Sequence, residues 1–81
     1  MDRVRLATYV LEALDAFNGS AHIWEVCRYV WLNYLREELS MDDKEYYTWQ
    51  YDIRWAAQLL RHDNVIVSEP RGYWTLVEKN S

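Results

Sequence analysis

The order of its periodic segments constrains this chain more than any other feature. Apolar residues recur with the helical period of about 3.6 residues in three stretches, and two short β-prone runs follow them. The pattern predicts helices over residues 3–17, 24–38 and 47–62, a strand that begins near residue 65, and a second strand over 73–78. We therefore expect three helices followed by a β-hairpin.

Residues that end or begin helices separate these segments. Asn18 and Gly19 follow the first helical stretch, and both tolerate the left-handed backbone conformation in which helices commonly end. Ser40 stands three residues before Asp43, a spacing that allows it to cap the third helix. The only proline and one of the two glycines lie between the β-prone runs, as expected of a hairpin connection.

Length and composition indicate one small domain that covers residues 1–81. The chain is 51% hydrophobic, and five tryptophans, seven tyrosines and one phenylalanine make up 16% of it. A domain of this size buries only about 60% of the surface of its unfolded chain, so large rings must fill much of its core. The positions of Trp49 on the third helix and of Trp74 on the last strand place both rings in that core.

The sequence carries no signature of catalysis or of a bound metal or cofactor. The single cysteine, Cys27, excludes an internal disulfide and falls on the apolar stripe of the second helix, where we expect a buried, inert thiol. Two isolated histidines are too few for a structural zinc set, and the acidic residues within 37–45 match no calcium loop. No apolar run approaches the roughly 18 residues of a membrane span. We predict a cytoplasmic protein that is not an enzyme and has no membrane contact.

Three helices followed by a two-stranded hairpin give the element order of a winged helix-turn-helix domain, an α+β fold that is mainly α. In such domains the segment before the second helix, here residues 20–23, often adds a short third strand. The hairpin is then the wing.

Two segments resemble the winged-helix domain that precedes the nuclease in Mrr-type restriction endonucleases. Residues 53–75, IRWAAQLLRHDNVIVSEPRGYWT, resemble the end of that domain through a Trp-Ala pair and the Arg-Gly-aromatic-Trp sequence of the wing. Residues 19–35, GSAHIWEVCRYVWLNYL, are similar to its second helix. The resemblance implies a DNA-reading module of restriction or defence systems, which is usually fused to a catalytic domain. Nothing nuclease-like fits within this chain, so the resemblance implies a stand-alone reader or adaptor.

The exposed face of the third helix carries residue types that read DNA bases. Arginine can bind a guanine edge with two hydrogen bonds, glutamine can pair with adenine, and an exposed ring can stack on an unstacked base. In a winged helix, the third helix would enter the major groove of double-stranded DNA, and Arg71 at the wing tip would contact phosphate or a neighbouring minor groove. The predicted DNA-binding residues are Gln50, Tyr51, Arg54, Trp55, Gln58, Arg61 and Arg71.

Several of these residues also have a purely structural interpretation. Arg54 and Gln58 lie one turn apart and can support the helix as an exposed pair. Trp55 can tuck beneath the hairpin, because so large a ring is rarely left fully in water. Arg71 and Gly72 can simply form the turn.

The net charge of −4 leaves other functions open, because an acidic protein as a whole is not attracted to phosphate. A protein-interaction or dimerisation domain is the main alternative, with exposed aromatic residues such as Tyr46, Tyr47 and Tyr51 as its contact surface. An acidic mimic of DNA that blocks a nuclease is a third hypothesis. The leading hypothesis is a non-catalytic DNA-binding module, sensitive to sequence or methylation, that serves restriction or transcription regulation.

Overall fold

Three helices and a three-stranded antiparallel sheet make up residues 1–77, the part of the chain that the computed structural model describes. Helix α1 covers Arg3–Ala16 and helix α3 covers Glu45–His62. Helix α2 covers residues 23–38. It consists of the α-helical segment Ile23–Val30, the π-helical turn Trp31–Leu35 and the α-helical segment Arg36–Glu38. The strands are β1 (Ser20–His22), β2 (Ile66–Val67) and β3 (Tyr73–Leu76).

This mainly helical α+β fold with a β-hairpin wing confirms the predicted fold class. The last predicted residue of the second wing strand, Glu78, and residues 79–81 lie outside the described residues. None of the helices within residues 1–77 is both long enough and apolar enough to span a membrane.

Strand β3 lies in the centre of the sheet, between β1 and β2. Ala21 of β1 pairs with Trp74 of β3, so the third strand expected from residues 20–23 is present. The backbone N–H of Ile23 donates to the carbonyl oxygen of Gly72 at 2.9 Å. This hydrogen bond ties the beginning of α2 to the wing.

The core lies between the apolar faces of the three helices and the inner face of the sheet. The Trp49 ring stacks on the Trp31 ring with their centroids 5.7 Å apart. Trp49 is 6% exposed and Trp74 is 4% exposed, which confirms their predicted core positions. The largest fully buried side chains are Leu6, Val10, Leu14, Val26, Val30, Leu35, Ile53 and Ile66.

The sequence predicts an uninterrupted second helix, and the structure differs from that prediction at Trp31–Leu35. In this π-helical turn the backbone N–H of Arg36 donates to the carbonyl oxygen of Trp31, one residue further back than in an α-helix. Val30 and Leu35 would diverge on a regular α-helix, and the wider turn allows both to be buried.

Helix α3 begins two residues earlier than predicted. The Tyr46 ring meets the Trp31 ring edge-on, with centroids 5.6 Å apart, so a contact between two helices stabilises the first turn. Periodicity within one helix does not reveal such a contact. The predicted cap is wrong, because Lys44 precedes the helix and no side chain caps it. Ser40 belongs to the turn before the helix, where its backbone N–H donates to the Asp43 carboxylate at 2.9 Å.

Gly72 in the wing has a φ of +84°, and an added Cβ there would lie 3.0 Å from Nε2 of His22. The His22 ring is fixed, because its Nδ1 caps α2 by accepting a hydrogen bond from the backbone N–H of Trp24. We expect Gly72→Ala to lower the free energy of unfolding by about 2 kcal/mol, half from the left-handed backbone and half from the displaced ring.

Gly19→Ala is the matched control for this substitution. Gly19 has a φ of +101°, but no atom lies within 4 Å of an added Cβ, so the loss should be only about 1 kcal/mol. Urea denaturation followed by circular dichroism measures both losses. Equal losses would contradict a steric role of His22.

Candidate functional site

All seven residues predicted to bind DNA have exposed side chains. Six of them lie on α3, because Trp49, Ile53 and the other apolar residues of that helix face the core. Tyr51 is 64% exposed and Trp55 is 43% exposed. Trp55 is thus not covered by the hairpin, and the Arg3 guanidinium lies over its ring, 5.1 Å from the centroid.

A cleft of about 350 Å³, here called the α3–wing cleft, brings five of the seven predicted residues together. Its apolar lining residues come from α2, α3 and β3, and its polar lining residues come from α3 and the connection after β2. The lining residues are Ile23, Tyr51, Arg54, Trp55, Ala57, Gln58, Arg61, Ser68 and Trp74.

A second cleft of about 460 Å³, here called the α2–α3 cleft, adjoins the first. The two share Ile23 and Arg54, and the second also contains the predicted residue Gln50. The lining residues are His22, Ile23, Trp24, Cys27, Arg28, Trp31, Trp49, Gln50 and Arg54.

The two clefts are positively charged although the chain is acidic. Arg28, Arg54 and Arg61 line them, and no Asp or Glu does. None of these three arginines forms an ion pair with a carboxylate of residues 1–77, whereas Arg3 pairs with Asp52 and Arg5 with Glu38. Carboxylates occur in two neighbouring grooves, one lined by Glu69 and the other by Glu25. The surface of both clefts is therefore suited to an anionic ligand.

A hydrogen bond within α3 determines what Gln58 offers to a ligand. Nη1 of Arg61 donates to Oε1 of Gln58 at 2.9 Å. One of the two lone pairs of the amide oxygen is thus used, and the second lone pair, the Gln58 amide N–H groups and the remaining guanidinium N–H groups stay free. Because donors outnumber acceptors in this pair, the arrangement favours ligands rich in hydrogen-bond acceptors.

Arg71 is the predicted residue that the structure does not bring to the others. Its side chain is exposed in the connection between β2 and β3, but it lines neither cleft. A contact between Arg71 and phosphate remains a prediction.

Cys27 lies at the base of the α2–α3 cleft and is 9% exposed. Burial raises the pKa of the Cys27 thiol, and the nearby positive charge of Arg54 opposes that shift. The raised pKa favours the protonated thiol, and the burial of Cys27 confirms its predicted position on the apolar stripe of the second helix. Within residues 1–77, no group of three or more His, Cys, Asp or Glu side chains is placed to hold a metal ion.

Sequence reasoning missed several residues that line the two clefts. Trp74 was assigned only to the core, yet it also lines the α3–wing cleft. Arg28 and Trp24 on α2 and Ser68 after β2 carry no local signal, because only the packing of α2 and the wing against α3 brings them to the site.

Comparison of the chain with protein-family models, with curated proteins and with solved structures finds no match.

Proposed function

We propose that this chain is a non-catalytic DNA-binding winged-helix module whose contact surface is the exposed face of α3 together with the wing. One observation carries the proposal: Arg28, Arg54 and Arg61 line two adjoining clefts on this face, without a carboxylate, in a chain whose net charge is −4. Paired carboxylates would neutralise these arginines, and their absence from the clefts leaves the positive charge available to phosphate.

The proposed mode of binding places α3 in the major groove of double-stranded DNA. There Arg54 and Arg61 can each donate two hydrogen bonds to O6 and N7 of guanine. The Gln58 amide adds two N–H donors, while its oxygen accepts one hydrogen bond from Arg61. We therefore expect a preference for sites rich in guanine, with Arg71 positioning the wing on phosphate.

The resemblance of residues 53–75 to the Mrr-type domain supports the same function and adds restriction or transcription regulation as its context. Sensitivity to methylation belongs to the same proposal, because a methyl group in the major groove changes the edge that the arginines contact. A cytoplasmic location agrees with such a role.

A titration of labelled duplex DNA tests the proposal. We expect a dissociation constant in the micromolar range at about 50 mM salt, and a plot of log affinity against log salt with a slope of about −2, since Arg28 and Arg71 are the two arginines left for phosphate when Arg54 and Arg61 contact bases. Fluorescence anisotropy measures both quantities on duplexes with and without guanine runs. Absence of binding at about 50 mM salt would refute the proposal.

A protein-interaction domain is the second candidate function. The observation that favours it is Tyr47, which is exposed on α3 but lines neither of the two clefts. Measurement of the mass in solution before each titration separates the two candidates, because self-association without DNA binding would favour this one.

A further inference from the structure

We propose that the α3–wing cleft receives a single unpaired base of the DNA that α3 contacts. The inference rests on the proposed function and specifies its ligand: a duplex that contains a base outside the stack, such as a one-base bulge. Its basis is the combination of exposed rings, hydrogen-bond donors and positive charge in one concave site.

The aromatic lining of the cleft exceeds what the core requires. Trp74 is buried and contributes to the core, whereas Tyr51 is mostly exposed and Trp55 is partly exposed. The Tyr51 and Trp55 rings lie 6.4 Å apart at an interplanar angle of 67°, so their faces point in different directions. A planar base that stacks on the Tyr51 ring, or on the face of Trp55 that Arg3 does not cover, would remove apolar surface from water.

The size and polar groups of the cleft also fit a base. Its volume of about 350 Å³ lies at the lower end of the range of about 300–1,000 Å³ that is typical of small-molecule sites. The Gln58 amide, the guanidinium groups of Arg54 and Arg61 and the Ser68 hydroxyl can all donate hydrogen bonds to the acceptors of a base edge. Proteins that bind extrahelical bases combine such edge contacts with stacking between aromatic side chains.

Two considerations favour an unpaired base within a duplex. An unpaired or mismatched base is the least costly to remove from the stack, so a non-catalytic module can hold it without having to open a base pair. Arg28 in the adjoining α2–α3 cleft would remain available to a phosphate next to that base. An acidic peptide would satisfy the charge of the arginines but would leave the Tyr51 and Trp55 rings exposed.

The experiment compares three labelled DNAs of the same sequence: a fully paired duplex, the same duplex with one bulged base, and the single strand. We expect the bulged duplex to bind about tenfold more tightly than the paired duplex, and more tightly than the single strand. Trp55→Ala and Tyr51→Ala should each reduce this preference, whereas Trp55→Phe should retain most of it because a ring remains.

Tyr47→Ala is the matched control, because it removes an exposed ring of α3 outside both clefts and should leave the preference unchanged. Circular dichroism verifies that each variant is folded. Equal affinity for bulged and paired duplexes, or a preference that survives both Trp55→Ala and Tyr51→Ala, would overturn this inference and leave the proposed function intact. A single strand that binds as tightly as the bulged duplex would also overturn it. Absence of binding to all three DNAs, or displacement of DNA by a glutamate-rich peptide at equal concentration, would refute the proposed function itself.

Discussion

The double variant Arg54→Ala/Arg61→Ala should bind guanine-containing duplex DNA at least about 30-fold more weakly than the unaltered chain. A bidentate arginine–guanine contact provides about 1–3 kcal/mol of discrimination, and about 2 kcal/mol is the minimum expected from two such contacts. The slope of log affinity against log salt should change little, because in the proposed mode of binding these two arginines contact bases and not phosphates. Anisotropy titrations at several salt concentrations measure both effects.

The chain provides a control with the same change in charge. Arg36 at the end of α2 and Lys44 just before α3 are exposed and line neither cleft. Arg36→Ala/Lys44→Ala removes two positive charges as well, but affinity should fall by less than about threefold, since distant exposed charges are largely screened. Equal losses in the two double variants would show that net charge alone governs binding.

Substitution of Arg54 by lysine separates charge from hydrogen-bond geometry. Lysine retains the positive charge but not the planar guanidinium that can bind O6 and N7 of guanine together. The general affinity for DNA should therefore be largely retained in Arg54→Lys, whereas the preference for guanine should diminish.

Helical periodicity is sufficient to predict which residues of α3 face solvent. Trp49 and Ile53 lie on the inner face as their spacing requires, and Tyr51, Arg54 and Gln58 consequently lie on the outer face. Five of the predicted residues therefore line one cleft, because side chains one turn apart on a helix are neighbours.

The opposite wall of the α3–wing cleft could not be predicted in the same way. Ile23, Ser68 and Trp74 come from α2, the hairpin connection and β3, and tertiary contacts bring them to α3. The pairing of Ala21 with Trp74 and the hydrogen bond from Ile23 determine their positions. Such contacts join segments far apart in sequence, where local patterns carry no information.

The sequence also does not predict which neighbouring side chain forms a hydrogen bond with Gln58. The spacing of Arg54 and Gln58 allows a supporting pair, which is the structural interpretation of these two residues, but the structure pairs Gln58 with Arg61. Residues three and four positions apart are both within reach on a helix, so spacing does not distinguish between them.

Trp74→Ala should remove a large part of the stability of the domain. A chain of 81 residues at about 0.05–0.15 kcal/mol per residue has a free energy of unfolding of about 4–12 kcal/mol. Truncation of a buried tryptophan typically costs about 3–5 kcal/mol, through lost burial and the cavity left behind. Trp74 is buried on the central strand of the sheet and also lines the α3–wing cleft, so its loss affects the core and the site together.

Trp24→Ala is the matched control, because it makes the same chemical change at a side chain that is 58% exposed. Its cost should be about 1 kcal/mol, because only the smaller part of this side chain is buried. Urea denaturation followed by far-ultraviolet circular dichroism is the appropriate measurement, since tryptophan fluorescence would change with the substitutions themselves. Equal costs at the two positions would contradict the placement of Trp74 in the core. If Trp74→Phe retains most of the free energy of unfolding that Trp74→Ala loses, a buried ring at this position stabilises the packing of the wing against α3.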